Sequence, residues 1–361
     1  MSKLLERLKK NSTLECEIMS DSRFYGNDVF YDTGYPHLNL ALSGRLNGGL
    51  STGVTMIAAP SKHFKSNYLC ICMKAFQREK PDGVILFYDT EGGTKPSYLE
   101  TFGVDASRLL HIPVMNLEEL KFDLAKQLND MDAADDIFVA VDSLGNIASK
   151  KEVVDAQTGN EAADMTRAKQ MKSLGRIITP YINKFKISFV GIGHTYQTQD
   201  RFPTTVMSGG TGVMYISDTV LLVGKSQEKT GKVLDGFDFK LNIDKSRFIK
   251  EKLTIPFPVM YSGGPDKYGA LFDLCMAHTD IIEQKGAWYV YPESDKNKRK
   301  SEIVQDTKWM DSLLENDEFV DAVEGYYRLP DPIDTSQPYV AHEEDPDEVD
   351  FEAMVAENSG E

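Results

Sequence analysis

A short stretch of this 361-residue chain carries residue types that bind the phosphates of a nucleotide. Its nine residues are Ala59, Pro60, Ser61, Lys62, His63, Phe64, Lys65, Ser66 and Asn67. In the pattern G-x-x-x-x-G-K-[ST], the lysine reaches the β- and γ-phosphates and the hydroxyl ligates magnesium, and Lys65 and Ser66 hold these two positions. Both glycines of the pattern are replaced, by Ala59 and Phe64. The stretch predicts a nucleotide site, and the alternative is a Lys-Ser pair that opens an ordinary helix.

The segments on either side of this stretch support the nucleotide interpretation. The apolar run Gly53–Ala58 precedes it, and a helical pattern at 68–78 follows it. A loop between a strand and a helix directs backbone N–H groups and the positive end of the helix dipole toward one point. We expect that point to hold an anion such as a phosphate.

Two carboxylates follow further apolar runs. Asp142 stands after one run, where it can hold magnesium through a water molecule opposite Ser66. Glu91 stands after another, where it can orient and deprotonate the water that attacks the γ-phosphorus, and Asp89 is the alternative base. Taken singly, Asp142 equally suits a turn cap and Glu91 a solvated loop. Together with the phosphate loop, and in this order, they predict a P-loop ATPase.

The elements that position these residues alternate between β and α from residue 38 to residue 259. Apolar runs typical of buried strands lie at 84–88, 137–141, 187–192 and 219–223. Helical stretches between them include 117–128 and 164–178. Because alternating strands and helices form parallel sheets with helices on both faces, we expect an α/β fold with a mainly parallel, twisted sheet.

The chain divides into four predicted segments. Residues 1–37 form an N-terminal arm, in which an amphipathic helix is followed by a strand-like alternation at 13–19. This helix and strand cannot bury both apolar faces alone, so we expect them to dock on the main body or on a neighbouring subunit, as an oligomerisation arm. Residues 38–260 form the core, residues 261–330 a small C-terminal α+β domain, and residues 331–361 an acidic tail.

The net charge of −16 argues against a protein that binds polyanions over its whole surface. Eleven of the acidic residues lie in the tail, which has no Lys or Arg, so the other 330 residues carry only −5. The body can therefore hold a local basic surface. We expect the tail to be disordered. It serves either as a solvated segment or as an imitation of nucleic-acid charge that competes for the protein's own binding groove.

The sequence has no feature typical of an exported or membrane protein. No apolar run approaches the roughly 18 residues that span a bilayer, and charges are spread through the first ten residues. The four cysteines, Cys16, Cys70, Cys72 and Cys275, form neither a Cys-x-x-Cys pair nor a disulfide framework. These features predict a cytoplasmic protein with reduced thiols and no membrane partner.

Several motifs resemble those of the RecA family of recombination proteins. They are FYDTE at 87–91, KPSYLETFGVD at 95–105, VDSL at 141–144, SGGTG at 208–212 and GAWY at 286–289. Within that family the chain resembles in particular the UvsX-type recombinases of T-even-like phages. The motifs that carry this likeness are DSLGN at 142–146, ASKKE at 148–152, DMTRAK at 164–169 and HTY at 194–196. The resemblance covers roughly residues 10–290 and is specific in order and spacing.

The resemblance implies a RecA-like core in which each site residue has a role. The loop at 59–67 binds ATP, and Tyr98 stacks on the adenine, although a core aromatic is the alternative for Tyr98. Ser66 ligates magnesium, Asp142 supports the metal through water, and Glu91 is the catalytic base.

Three further positions connect the nucleotide to DNA and to neighbouring subunits in that family. His194 stands where the family has a glutamine that senses the γ-phosphate and signals to a DNA loop, and a buried structural histidine is the alternative. Lys245 and Arg247 resemble paired cations that reach a neighbour's ATP and act with Lys65 on the transition state, so hydrolysis would need a polymer. Phe64 departs from the family, and we expect a loop shape slightly displaced from that of RecA.

The resemblance also implies two DNA-binding loops, at about 150–164 and 196–210. The residues expected to contact DNA are Lys150, Lys151, Arg167, Lys169, Lys172, Tyr196, Arg201, Phe202, Gly209 and Gly210. Basic side chains follow phosphates and aromatic groups insert between bases, so binding should be salt-sensitive and independent of sequence. A solvated helix face is the alternative for Lys169 and Lys172.

The resemblance implies an ATP- and Mg²⁺-dependent homologous recombinase, a DNA-dependent ATPase of phage recombination, repair and recombination-dependent replication. We expect a helical filament on single-stranded DNA that pairs with a homologous duplex and exchanges strands in the host cytoplasm. Further expected partners are a single-strand-binding protein and a recombination mediator. Two other classes stay open. They are a RecA-fold hexameric helicase, and a non-hydrolysing DNA-binding paralogue that regulates a recombinase, for which the missing glycines are the clue.

Overall fold

The computed structural model describes residues 2–14, 16–21, 29–159, 166–199, 201–230, 233–292, 294 and 296–330. The predicted acidic tail at 331–361 lies outside the described residues, and so does the stretch 160–164 of the first predicted DNA loop. No helix in the described part of the chain is long and apolar enough to cross a membrane.

The helices and strands follow one another in regular alternation through the core. In chain order they are α1 (Lys3–Asn11), β1 (Phe30–Tyr31), α2 (Pro36–Ser43), β2 (Leu50–Ser51), β3 (Gly53–Ala58), α3 (Lys65–Glu79), β4 (Val84–Asp89), α4 (Pro96–Thr101), β5 (Leu109–Pro113), α5 (Leu117–Asn129), β6 (Ile137–Asp142), α6 (Lys150–Thr158), α7 (Thr166–Phe185), β7 (Ser188–Gly193), β8 (Thr195–Gln197), β9 (Thr205–Met207), α8 (Gly210–Ile216), β10 (Thr219–Thr230), β11 (Val233–Lys245), β12 (Thr254–Met260), β13 (Gly264–Pro265), α9 (Lys267–His278), β14 (Glu283–Lys285), β15 (Trp288–Val290), α10 (Lys300–Ile303), α11 (Thr307–Ser312) and α12 (Asp317–Tyr327).

Within the described residues, nine strands form one central sheet in the order β13-β12-β11-β10-β3-β7-β6-β4-β5. The strands from β10 to β5 pair in parallel, and those from β10 to β13 pair antiparallel. The core strands predicted from the sequence all form, which confirms the mainly parallel α/β sheet. β10 extends well beyond the predicted 219–223, because it pairs with β11. The two strands form an antiparallel ribbon of 12 and 13 residues.

Two apolar layers cover the two faces of this sheet. Alternate residues of β3 show the division, because Ile57 belongs to the layer with α3, whereas Met56 and Ala58 belong to the layer with α5 and α7. All three side chains are almost completely removed from water. Full burial of a large apolar side chain stabilises a fold by roughly 1.5–3 kcal/mol, so these layers hold the strand ends in fixed positions.

The segment 261–330 folds into α9, the hairpin of β14 and β15, and the helices α10, α11 and α12. Its apolar side chains Phe272, Trp309 and Phe319 join the layer that contains α3. Helix α9 reaches this layer through contacts with α2 and β12. The domain boundary expected near residue 261 stays a prediction.

In the described residues of the N-terminal arm the predicted helix forms, but the predicted strand does not. α1 has no buried residue, and Leu4, Leu5 and Leu8 on its apolar stripe are 41% to 56% exposed. Among the described residues of 13–19 no strand forms, and Met19–Asp21 closes into a 3₁₀ turn. A strand needs a partner for its N–H and C=O groups, and no strand in the described part of the chain pairs with this stretch.

The first predicted DNA loop begins as a helix. α6 starts at Lys150 because Ser149 caps it, its hydroxyl accepting a hydrogen bond from the N–H of Glu152 (3.0 Å). It ends at Thr158, where Gly159 takes up the left-handed conformation that closes many helices. The expectation of a loop from residue 150 is therefore wrong for 150–158.

His37 is a fully buried ionisable side chain in α2. Its ring centroid lies 4.7 Å from that of Phe257, and neither ring nitrogen has a hydrogen-bond partner among the described residues. Burial lowers the pKa of His37 to about 3. The folded protein therefore holds the neutral imidazole, whereas the unfolded chain takes up a proton near the ordinary pKa of about 6.5.

We predict that His37 makes the fold less stable as the pH falls below about 6.5. Between that pH and the folded pKa of about 3, the unfolded chain binds one more proton at this residue than the folded chain does. The free energy of unfolding then falls by about 1.4 kcal/mol per pH unit from this residue. His37→Leu should remove this part of the slope. Urea unfolding of both proteins at about pH 7.5, 6 and 5 measures it, and equal slopes would contradict the prediction.

Candidate functional site

The phosphate loop joins the carboxyl end of β3 to the start of α3. Phe64, the residue before α3, has φ 64° and ψ 13°, which is left-handed backbone. Lys62 is left-handed as well, with φ 60°. This left-handed backbone explains why the motif has a glycine at this position, since glycine adopts it without steric strain. Phe64 adopts the same conformation at a cost of roughly 1–2 kcal/mol. The expected displacement of the loop relative to RecA stays a prediction.

Aromatic packing holds Phe64 in this conformation. Its ring centroid lies 5.3 Å from that of Tyr68, 5.4 Å from Phe239 and 6.1 Å from Phe257. Ring contacts of this kind contribute about 0.5–1.5 kcal/mol each beyond burial. Together they offset the backbone strain, which explains how the loop accommodates a bulky residue where the motif has glycine.

Lys65, Ser66 and Asp142 meet beside the loop. Nζ of Lys65 donates to the carbonyls of Ala59 (3.0 Å) and Pro60 (2.9 Å). Oγ of Ser66 donates to Oδ2 of Asp142 (2.7 Å). The structure thus brings together the lysine, the hydroxyl and the acid that the sequence singled out.

The charged groups of this cluster are poorly solvated. Burial lowers the pKa of Lys65, against the opposing charges of Asp142 and Glu91. Burial also raises the pKa of Asp142, where the hydrogen bond from Ser66 opposes the rise and the charges of Glu91 and Asp89 add to it. A hydroxyl and a carboxylate are hard oxygen ligands of the kind that Mg²⁺ prefers. A magnesium-bound triphosphate would stabilise the charged forms of both side chains, so the residues present fit this ligand.

Glu91 follows β4 and lies next to this cluster. Its Oε1 accepts hydrogen bonds from Oγ of Ser143 and Nδ2 of Asn146 (both 2.9 Å), and Nε2 of His194 lies 3.5 Å away. Burial alone would raise the pKa of Glu91, but the hydrogen bonds from Ser143, His194 and Asn146 outweigh it and lower the pKa. Glu91 is therefore ionised and oriented, which suits a group that aligns an attacking water molecule.

Two of the residues that orient Glu91 have no place in the sequence prediction. Ser143 and Asn146 belong to the segment that follows β6, and β6 pairs directly with β4. Both stand in the DSLGN motif at 142–146, which carries the family likeness. Polar residues directly after an acidic strand end are the signal that could have found them, but only the sheet order shows that they reach Glu91.

Asp89, the alternative base, is engaged within the chain. Its side chain is 4% exposed, and both carboxylate oxygens already have partners in the neighbouring turn and on β5. Asp89 lines the cleft described below, but a carboxylate whose two oxygens are already engaged is poorly placed to deprotonate water there. These contacts favour Glu91 as the base.

A cleft of about 640 Å³ opens beside the cluster, and Ser66, Glu91, Tyr98 and Asp142 are among its lining residues. The hydroxyl of Tyr98 donates to Oδ1 of Asn67 (2.6 Å), which fixes the ring. A half-buried aromatic ring on the wall of a polar cleft is placed as base stacking requires. The adenine contact of Tyr98 stays a prediction.

The remaining residues of the loop form its outer part. Pro60, Ser61 and Lys62 are exposed, and His63 is half-buried with Nδ1 2.8 Å from the carbonyl of Ser61. Lys225 of β10, which the sequence prediction omits, supports this part because its Nζ donates to the carbonyl of Lys62 (3.3 Å). The loop is therefore tied to the β10–β11 ribbon as well as to α3.

Lys245 and Arg247 lie at the opposite edge of the sheet from the phosphate loop. Lys245 ends β11 beside the start of β10, whereas Lys65 follows the carboxyl end of β3. Nζ of Lys245 donates to the carbonyl of Met214 (2.8 Å), and Arg247 forms an ion pair with Asp218. The structure does not bring these two cations to the phosphate loop of their own chain.

The second predicted DNA loop contains a hairpin, because β8 and β9 pair antiparallel around its tip. Tyr196 is 54% exposed and Phe202 is 78% exposed, and the guanidinium of Arg201 lies 5.7 Å from the ring centroid of Phe202. Gly209 and Gly210 follow the hairpin at the start of α8, with φ of 108° and 67°. The hairpin thus presents aromatic and cationic groups to solvent together.

The basic residues of the first predicted DNA loop differ in what they face. Lys150 and Lys151 lie exposed in the first turn of α6. The guanidinium of Arg167 instead donates to three backbone carbonyls, those of Leu144, Gly145 and Ile147 (2.8–3.2 Å). Arg167 therefore supports the segment after β6 in this structure. A contact with phosphate would require its guanidinium to face outward, and it faces this segment instead.

Lys169 and Lys172 line a groove of about 290 Å³ between α7 and α8. The same groove contains two residues that the sequence prediction omits, Arg176 and Tyr215, and Tyr215 is 78% exposed. Cations beside an exposed aromatic ring suit a single strand, because they can contact its phosphates and its bases. Helical spacing is the signal that could have found Arg176, which stands four residues after Lys172 on the same face of α7.

Comparison with known proteins finds relatives of this chain, although no family model matches it. A recombination and repair protein of Enterobacteria phage T4 is 42% identical over 340 residues, which span 91% of this chain and 87% of that protein. The RecA protein of Mycoplasma mycoides is 26% identical over 238 residues, 63% of this chain and 65% of that protein. The RecA protein of Gloeothece citriformis is 27% identical over 330 residues, 88% of this chain and 86% of that protein. The similarity to the phage protein therefore extends over nearly the whole chain.

We predict that Phe64 stabilises the fold in spite of its backbone strain. Phe64→Gly should lower the free energy of unfolding by about 1–2 kcal/mol, because the lost ring burial exceeds the relieved strain. Phe64→Ala should be less stable still, since it loses the ring and keeps a side chain in left-handed backbone. Urea unfolding of the three proteins checks this order. A glycine variant more stable than the parent would mean that strain dominates at this position.

Proposed function

Since this chain belongs to the RecA family, as a relative of the UvsX-type phage recombination and repair proteins, we propose that it is an ATP-dependent homologous DNA recombinase. It polymerises on single-stranded DNA, pairs that strand with a homologous duplex and exchanges strands. The observation that carries this proposal is the meeting of Lys65, Ser66, Asp142 and Glu91 at one edge of the sheet.

ATP hydrolysis uses this edge. Lys65 holds the β- and γ-phosphates, and the helix dipole of α3 stabilises their charge. Ser66, with Asp142 through water, would hold Mg²⁺, and the bound ion would neutralise charge on the phosphates. Glu91 orients the attacking water and accepts its proton, because Ser143 and Asn146 fix the carboxylate in place.

The position of Lys245 and Arg247 supports hydrolysis between subunits. Neither can reach the phosphate loop of its own chain, since both lie at the opposite edge of the sheet. In a polymer, the side of one subunit that carries these cations can pack against the phosphate-loop side of the next subunit. The cations then face the nucleotide of the neighbour. There they stabilise the charge of the transition state, as an arginine finger does.

The N-terminal arm supplies a means of polymerisation. The alternating stretch at 13–19 has no strand partner in the described part of its own chain, and the apolar stripe of α1 is exposed. β5 is an outer strand of the central sheet, and Leu110 on this strand and Met115 just after it are 49% and 77% exposed. A strand-like stretch without a partner and an unpaired sheet edge in the same chain favour strand addition between subunits.

DNA binds to a surface formed by the groove of α7 and α8 and by the hairpin. The groove contributes Lys169, Lys172, Arg176 and Tyr215, and the hairpin contributes Tyr196, Arg201 and Phe202. These side chains contact phosphates or stack on bases, and such contacts do not depend on the base sequence. A recombinase needs this property because it acts on any pair of homologous strands.

His194 connects this surface to the nucleotide. Its Nε2 lies 3.5 Å from Oε1 of Glu91, and its carbonyl accepts a hydrogen bond from the N–H of Ser208 at the end of the hairpin (2.7 Å). A movement of the hairpin on DNA therefore changes the surroundings of Glu91. By reciprocity, ATP binding favours one position of the hairpin and so the affinity for DNA.

We predict that ATP turnover depends on Lys65 and rises when single-stranded DNA is added. Lys65→Ala should lower the rate at least about 100-fold, because the γ-phosphate loses its cation in the transition state. Lys308→Ala, an exposed lysine of α11, is the matched control and should keep the parent rate. Phosphate release with and without DNA measures this, and circular dichroism checks the fold. An unchanged rate in Lys65→Ala would remove the loop from the mechanism.

The same proteins separate the three candidate functions. A recombinase turns over ATP, forms filaments in electron micrographs and exchanges strands between a circular single strand and a linear duplex. A hexameric helicase turns over ATP but forms rings and exchanges no strands. A non-hydrolysing paralogue binds DNA without DNA-dependent turnover. Absence of strand exchange in the parent protein would contradict the proposal.

We predict that Lys172→Ala and Arg176→Ala each weaken single-stranded DNA binding to a similar degree on all sequences. Each substitution removes one phosphate contact, so the slope of log K against log salt concentration should flatten by about 0.7. Fluorescence anisotropy with oligonucleotides of two compositions at several salt concentrations measures both effects. Lys308→Ala controls for the loss of one positive charge. A parental slope in both groove variants would exclude this surface as the DNA site.

A further inference from the structure

A histidine and an aspartate next to Glu91 have no part in the mechanism above. Oδ1 of Asp89 accepts hydrogen bonds from the backbone N–H groups of Glu91 (3.0 Å) and Gly92 (2.7 Å). Oδ2 of the same carboxylate lies 3.1 Å from Nε2 of His111. The two oxygens thus have different partners. Oδ1 binds the turn that carries Glu91, and Oδ2 binds the imidazole.

The direction of the second contact follows from chemistry. A carboxylate oxygen has no proton to give, so Nε2 of His111 donates and Oδ2 accepts. Asp89 is 4% exposed on its side chain, whereas His111 is 49% exposed. His111 comes from the outer strand β5, where its ring stacks on Phe87 of β4 (centroids 5.8 Å, interplanar angle 28°). The donor therefore arrives from a neighbouring strand whose position the sheet fixes.

Glu91 is consequently held at two points. Ser143 and Asn146 bind its carboxylate, and Asp89 binds the backbone on either side of its Cα. The contact with the backbone sets the position of the Glu91 Cα, from which the side chain extends. Gly92, with φ 65°, allows the chain to turn sharply around Asp89. A buried carboxylate with only the two N–H donors of the turn has one oxygen unsatisfied, which favours rotation of the side chain and release of the turn. His111 satisfies that oxygen.

We propose that His111 and Asp89 are positioning residues for ATP hydrolysis: His111 holds Asp89, and Asp89 holds the turn that places Glu91 against the attacking water. This inference rests on the proposed ATPase function. Neither residue touches the nucleotide in this scheme. Both act through Glu91, so their loss lowers kcat and leaves the binding of ATP nearly unchanged.

Packing of the His111 ring on Phe87 is the competing explanation for this arrangement, and two substitutions separate the explanations. His111→Gln keeps an N–H donor for Asp89 and loses the ring. His111→Phe keeps a ring for Phe87 and loses the donor. A positioning role predicts that the glutamine variant retains activity to within about threefold of the parent, and that the phenylalanine variant loses about tenfold in kcat. A packing role predicts the reverse order.

Asp89→Asn tests the other half of the pair. Its amide oxygen can still accept from the N–H groups of Glu91 and Gly92, while its NH₂ group replaces the oxygen that accepts from His111. The variant should resemble His111→Phe, with about a tenfold loss in kcat and less than about a twofold change in KM for ATP. The double variant with Asp89→Asn and His111→Phe should be no slower than either of these single variants, because both substitutions remove the same hydrogen bond.

The experiment measures kcat and KM for ATP of the parent and of the four variants with saturating single-stranded DNA. Binding of a fluorescent ATP analogue, filament formation and thermal unfolding are measured in parallel, because β5 lies at the sheet edge where polymerisation is proposed. Absence of turnover in the parent protein would contradict the proposed function itself. With an active parent, three results would each overturn the positioning role. The first is equal activity of His111→Phe and the parent, and the second is an inactive His111→Gln that still binds ATP and forms filaments. The third is additive losses in the double variant.

Discussion

The parallel alignment of β3, β7, β6 and β4 is the constraint on which the candidate site depends. Parallel strands end at the same edge of a sheet, so the segments that follow them lie side by side. The phosphate loop follows β3, His194 follows β7, Asp142 ends β6 and Glu91 follows β4. Residues from four separate parts of the chain are therefore held side by side, and pairs of them lie within hydrogen-bond distance. The hydrogen bonds from Ser66 to Asp142 and from Ser143 to Glu91 connect these segments and orient the groups that the chemistry needs.

The apolar layers on the two sheet faces make this arrangement rigid enough to hold a strained loop. Phe64 keeps left-handed backbone because its ring packs between Tyr68, Phe239 and Phe257, which come from α3, β11 and β12. The phosphate loop is thus built from parts that are distant in the sequence. A glycine would allow the same backbone without this packing, and a phenylalanine allows it only because the packing is present. The departure from the motif is therefore compatible with a phosphate site.

The antiparallel ribbon of β10 and β11 gives the molecule two different edges. It carries Lys245 back to the edge of the sheet that lies away from the phosphate loop, where Arg247 also lies. One chain therefore holds the phosphate-binding residues on one side and the two cations on the other. In a family whose relatives include a phage recombination and repair protein and RecA proteins, this separation is consistent with a nucleotide site that is completed by a second subunit. The exposed α1 and the outer strand β5 offer surfaces for such a contact.

The sequence by itself determined the elements and the residue types of the site. Apolar runs and helical patterns identified β3, β4, β6 and β7, and the acids at strand ends identified Glu91 and Asp142, because these are properties of short segments. Only the tertiary structure decided that Ser143 and Asn146 orient Glu91, that Arg167 faces inward and that Arg176 and Tyr215 share a groove with Lys169. It also decided that 150–158 is helical and that 13–19 has no strand partner in the described chain. Side-chain neighbours and strand pairing depend on sheet order and on contacts between distant segments, and a local pattern of residues carries no record of either.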